Sequence, residues 1–178
     1  MKIQKQAMRW AVLFLALFTS IAQANIISYN VTLNGAQSVL PNFSPAFGSA
    51  TVTVDDVLDT VFVALTFSGL IGGNASAAHI HCCVPTNANG PVVIPFTGFP
   101  AATSGTYSNT FLGVSAANIA GIEAGLAYIN IHNAEFPGGE IRGDILPTLA
   151  VPEPASLWLM MLGIGVLSFF GLRSRKVA

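Results

Sequence analysis

Between residues 25 and 146 apolar and polar side chains alternate with a period of two far more often than they recur with a helical period. Tyr29, Val31 and Leu33 interleave with Asn30, Thr32 and Asn34, and Val61, Val63, Leu65 and Phe67 share one parity within 60–68. Successive side chains of an extended chain leave opposite faces, so this pattern marks strands with one buried face. A strand at 51–54 runs into the acidic cluster Asp55, Asp56 and Asp59, which turns the chain into 60–68 as a hairpin. Further strands are expected at 77–82, 92–96, 105–112, 126–132 and 139–146, about eight in all. The one helix-like stretch opens at Ser115, a good N-cap, and closes at Gly125. Pro85, Pro91, Pro95 and Pro100 confine 85–100 to an edge strand and loops. The pattern predicts an all-β fold, an antiparallel Greek-key β-sandwich.

The two ends break the alternation. Lys2, Lys5 and Arg9 precede an apolar stretch from Trp10 to Ile21 and the small-residue pattern Ala22-Gln23-Ala24. This is the layout of a secretory signal peptide over 1–24, cleaved after Ala24 by signal peptidase. At the other end an uncharged run, 155–172, is followed by Arg173, Arg175 and Lys176. A run of about 18–20 apolar residues is just long enough to cross a hydrocarbon core, and the basic residues would act as stop-transfer charges. The expected plan is a signal peptide (1–24), a β-domain (25–146), a linker (147–154), a transmembrane helix (155–172) and a basic cytoplasmic tail (173–178). The linker ends in Pro152-Glu153-Pro154, and this tripartite tail resembles the PEP-CTERM sorting signal of Gram-negative bacteria. The resemblance implies an exosortase-type membrane protease as partner. It also implies export through the inner membrane, a transient single-pass anchor, and final display at the cell surface or outside the cell.

Composition changes meaning once the ends are set aside. The whole chain is 52% hydrophobic with a mean hydropathy of +0.63 and a formal charge of −1. Residues 25–150, however, hold one basic residue, Arg142, against seven acidic ones, a formal charge of −6. A domain with a single cation cannot neutralise a phosphate backbone, which argues against nucleic-acid binding. The sequence shows no nucleophile elbow, phosphate loop, zinc-protease helix or dinucleotide fingerprint, so no enzymatic activity is expected.

The chemistry-bearing residues fall in two segments, Ala78-His79-Ile80-His81 and 126–145, the latter containing Asn130-Ile131-His132 and Phe136-Pro137-Gly138-Gly139-Glu140-Ile141-Arg142-Gly143. At i and i+2 of a strand, His79 and His81 share a face, and His132 sits on the Tyr128–Asn130 face of its own strand. Two readings follow. The histidines fix loop ends by bonding backbone carbonyls, or, if the strands are neighbours, the three imidazoles converge as a site for Zn²⁺ or Cu²⁺. Cys82 and Cys83, the two cysteines of the chain, are adjacent; in an oxidising compartment they form a vicinal disulfide, a pair of metal thiolates beside the histidines or an intermolecular bridge, or else stay free thiols. Arg142, flanked at two residues' distance by Glu140 and Asp144, is expected in a partly exposed ion pair, with anion binding as the alternative.

These two segments resemble the CHRD domain, over roughly 25–146, with Cys82 standing where many members carry glycine. The resemblance implies an extracellular β-sandwich module and no reaction. The reading is an exported, non-enzymatic surface or matrix module, associated with exopolysaccharide, biofilm or other surface proteins. The alternative is a metal-binding or redox protein built on His79, His81, His132, Cys82 and Cys83.

Overall fold

A computed structural model describes residues 26–147. Eight strands lie close to the stretches that alternate: β1 (Ile26–Asn34), β2 (Phe47–Asp55), β3 (Thr60–Ser68), β4 (Ala77–His81), β5 (Val92–Pro95), β6 (Gly105–Leu112), β7 (Ala127–His132) and β8 (Ile141–Ile145). One helix, α1 (Ala116–Glu123), joins β6 to β7; Ser115 caps it by accepting from the Asn118 N–H, and Ile119 and Ile122 reach the core.

The sandwich expected from the sequence is corrected. All eight strands belong to a single antiparallel sheet in the order β5-β4-β7-β8-β1-β2-β3-β6. β1 pairs with β2 over nine residue pairs on one side and with β8 at Asn34↔Arg142 on the other, so the sheet stays continuous where a sandwich would divide. It curls until its two edges approach. There Phe96, just past β5, stacks on Tyr107 and Phe111 of β6 at 5.0 and 5.7 Å between ring centroids. The result is a nearly closed barrel whose last seam is aromatic packing. Alternation fixes which face of each strand is buried; it does not fix neighbours, and a rolled sheet buries one face as well as a sandwich does. The proline-rich segment supplies β5 at a sheet edge, where missing N–H groups cost no ladder bonds.

Inside the roll, Val52, Val61, Val63, Ile80, Ile129 and Ile141 lose all contact with solvent. The outward faces of the two halves differ. On β1, β2, β3 and β6 the outward residues are mostly small and polar, as at Thr32, Ser49, Thr66 and Thr106, and these four are aligned across neighbouring strands with Thr32↔Ser49, Ser49↔Thr66 and Thr66↔Thr106. On β7 and β8 the outward residues Tyr128, Asn130 and Arg142 are buried as well, because loops lie over them. The site is built in that second layer.

No helix among the described residues is long and apolar enough to cross a membrane. The segments 1–24, 147–154 beyond Pro147, 155–172 and 173–178 lie outside the described residues, and with them Ala22, Ala24, Pro152, Glu153, Pro154, Arg173, Arg175 and Lys176. The transmembrane helix and the single-pass anchored state expected from the sequence are corrected to this extent: the described residues provide no spanning helix, and placement of the chain rests on its sorting motif.

Candidate metal centre

Pairing of β4 with β7 brings the two histidine-bearing segments side by side. The register is Ala77↔His132, His79↔Asn130 and His81↔Tyr128, which puts all three histidines on the outward face. His79 and His132 are diagonal neighbours, within reach of long side chains. Their ring centroids lie 5.1 Å apart, with His79–His81 at 5.6 Å and His81–His132 at 6.1 Å. One nitrogen from each ring can be chosen so that all three fall within 4.8 Å of one another. Bound to Zn²⁺ at about 2.0–2.1 Å in a tetrahedron, such nitrogens would stand about 3.3 Å apart, so closure asks for an ångström or so of ring movement.

Two loops orient the rings. His81 Nδ1 lies 2.8 Å from the Gly90 carbonyl and donates to it, leaving Nε2 with its lone pair; that atom is buried and has no hydrogen-bond partner. His132 Nδ1 likewise donates to the Pro137 carbonyl at 2.8 Å. Its Nε2 then faces Asn130 Oδ1 at 2.9 Å, and the amide is held that way round because Asn130 Nδ2 donates to the Gly138 carbonyl. With a neutral ring, two lone pairs confront each other there, an arrangement that a cation relieves. His79 Nδ1 is also buried without a partner. Carbonyl-bound Nδ1–H and inward-facing Nε2 are how metal-ligating histidines are commonly fixed. On His81, then, one nitrogen anchors a loop and the other has no partner, while on His132 Nδ1 anchors a loop and Nε2 lies against Asn130.

Burial and the neighbouring rings His132 and His81 push the His79 pKa below its usual value. Burial also lowers His132, against the opposing pull of the Pro137 carbonyl, with His81 adding to the depression. Both effects favour the neutral ring, the form that binds metal.

The segment 83–91 lies over this face, fastened chiefly by Arg142. The guanidinium donates to the Ala88 carbonyl at 2.9 Å and the Thr86 carbonyl at 2.7 Å, pairs with Asp144 at 2.9 Å, and lies 3.5 Å over the Tyr128 ring centroid. Tyr128 also stacks on His81 at 4.8 Å and accepts a hydrogen bond from the Gly90 N–H. Arg142 is 2% exposed and Asp144 14%, so in the ion pair expected from the sequence the cation is buried and the carboxylate stays partly exposed. Glu140 faces away from it and accepts from Ser44, the N–H groups of Ile71 and Gly72, and Asn133. Burial raises the Glu140 carboxyl, but these donors outweigh it and hold the pKa below the ordinary glutamate value. Gly139 precedes it at φ 110°, where a Cβ would meet the Asn130 amide at 2.8 Å, so a side chain there would disturb the residue facing His132.

Cys82 and Cys83 are joined by a disulfide across a cis peptide. Cys82 is buried in the core, and Gly121 of α1 packs against both sulfurs. Neither cysteine belongs to the histidine group, which removes the thiolate alternative. Asn130, Tyr128 and the carbonyls of Gly90 and Pro137 were not singled out by the sequence reading. Asn130 and Tyr128 were accessible to it, lying at i−2 and i−4 of His132 on the same strand face; the loop carbonyls carry no signal in side-chain pattern.

A family model described as the CHRD domain matches residues 29–145, and one described as the PEP-CTERM protein-sorting motif matches 150–176. No curated protein and no solved structure matches the chain. The sorting motif marks an exported protein with a C-terminal sorting signal and implies processing by an exosortase-type enzyme. The stretch matched by the first model takes in seven whole strands and most of β1, together with all three histidines, and the chain belongs to the CHRD-domain family.

Proposed function

We propose that the protein is a non-enzymatic module of the extracellular matrix that holds one Zn²⁺ or Cu²⁺ ion through His79, His81 and His132. On this reading signal peptidase cuts after Ala24, an exosortase-type protease acts at Pro152-Glu153-Pro154, and the β-domain is displayed among exopolysaccharide and other surface proteins. CHRD and PEP-CTERM modules are generally structural or sorting elements, which supports a role without turnover. The observation that carries the metal reading is the set of three imidazoles with carbonyl-anchored Nδ1 atoms on His81 and His132 and two buried, unpartnered nitrogens on His79 and His81.

Elemental analysis and titration calorimetry on the purified protein test it. One equivalent of Zn²⁺ or Cu²⁺ should bind, and His81→Ala should weaken binding by at least 100-fold, since two remaining imidazoles make a poor site. Asn130→Ala, which removes a neighbour of a ligand, should cost roughly 10-fold, as outer-shell changes do. A wild-type protein that takes up neither ion would refute the metal reading.

A further inference from the structure

The ligand set has a consequence for what the ion can bind next. Among the described residues no carboxylate or thiolate joins the three imidazoles. Asp144 is committed to Arg142, and Glu140 accepts from four donors, Ser44, Ile71, Gly72 and Asn133. A divalent ion on three neutral ligands keeps its full double charge and at least one coordination position, which favours an anionic oxygen from outside. A cavity of about 250 Å³ opens beside His79, lined by Ser76, Pro95, Thr97, Gly98 and Phe99 among others. It has no charged residue of its own, two hydroxyl groups for hydrogen bonds, and a half-buried aromatic ring. Its volume admits a single sugar ring or a smaller group.

We propose that the His79–His81–His132 metal ion takes an exogenous carboxylate as its further ligand, and that the carboxylate belongs to a uronic acid residue of an acidic polysaccharide seated in the cavity beside His79. This rests on the metal reading above and names the partner of the same site. It also accounts for how a domain of charge −6 could hold a polyanion: the ion supplies the local positive charge that the side chains lack. Metal coordination supplies the attraction, and the Ser76 and Thr97 hydroxyls with the Phe99 ring supply the preference for a sugar.

The test uses the protein stripped of metal and reloaded with Co²⁺, whose visible d–d bands report coordination directly. Galacturonate should shift the bands saturably, glucose should not, and acetate should do so at least tenfold more weakly than galacturonate. The double variant Ser76→Ala/Thr97→Val should bring galacturonate down to the level of acetate while Co²⁺ affinity is retained. A Co²⁺ spectrum that galacturonate leaves unchanged overturns this inference alone. Equal responses to acetate and galacturonate overturn the polysaccharide assignment in favour of any small carboxylate. Failure of Co²⁺, Zn²⁺ and Cu²⁺ to bind at all overturns the metal reading and this inference with it.

Discussion

Glu140→Gln should lower the stability of the domain by about 3–5 kcal/mol at neutral pH, although the substitution is nearly isosteric. The carboxylate is fully buried and receives donors from Ser44, Ile71, Gly72 and Asn133, which belong to three separate loops. Hydrogen bonds to a charged acceptor contribute about 1.5–3 kcal/mol each, and an amide turns two donors toward this ring of donors, so at least one is lost and left facing another. In urea, with a slope of about 1–3 kcal/mol per molar, the midpoint should fall by roughly 2 M. The effect also has a pH signature. Because the folded pKa is depressed, the unfolded chain takes up the proton first as pH falls, so the contribution is present above the unfolded glutamate value of about 4.3 and is lost as pH drops through the folded pKa. The stability gap between wild type and Glu140→Gln should therefore narrow as pH falls below the unfolded glutamate value. Urea melts at pH 7 and pH 3 check both points; a variant as stable as wild type at pH 7 would mean that the network contributes nothing net.

Arg142→Met should cost about as much, roughly 3–5 kcal/mol, for a different reason: removing one member of a buried pair leaves the other uncompensated. Asp144 would lose its cation, and the Thr86 and Ala88 carbonyls their donor. The damage should reach the metal centre. Segment 83–91 carries Gly90, whose carbonyl orients His81, and Tyr128, which stacks on His81, loses the guanidinium lying over its own ring. Metal affinity should fall about 10-fold or more, as when an outer-shell partner of a ligand is removed. Arg142→Lys should be intermediate in stability, since an ammonium keeps the charge but cannot make the same forked set of bonds. Stability by denaturant melts and affinity by calorimetry on the same samples separate the two effects; a destabilised Arg142→Met with unchanged metal affinity would show that the segment does not position His81.

The strands could be read from parity alone, since Tyr29, Val31 and Leu33 or Val61, Val63 and Leu65 declare a buried face wherever the neighbours lie. That His79 and His81 share a face follows from the same rule. Their meeting with His132 does not, because it depends on β4 lying beside β7, a pairing between segments about fifty residues apart that the alternation leaves open. The exposure of Arg142 was misjudged for a related reason. Alternation divides a strand into an inward and an outward face and assumes water on the second, whereas every residue of β7 except His132 is buried here, outward ones included. What buries them is loop backbone: 83–91 over Arg142, and the turns at 42–44, 71–72 and 133–139 around Glu140. Apart from the Ser44 hydroxyl and the Asn133 amide on Glu140, those contacts run to main-chain N–H and carbonyl groups, which every sequence supplies alike. The prolines at 85–100 did announce an edge strand, since a missing donor has a fixed structural meaning.

Three imidazoles sharing one ion are the centre of the proposed function. X-ray absorption at the metal edge of the purified protein loaded with one equivalent of Zn²⁺ measures that directly. The proposed metal site predicts a first shell of nitrogen and oxygen at about 2.0–2.1 Å with outer-shell scattering from three imidazole rings and no sulfur. A shell containing sulfur at about 2.3 Å, or one with no imidazole scattering, would contradict it.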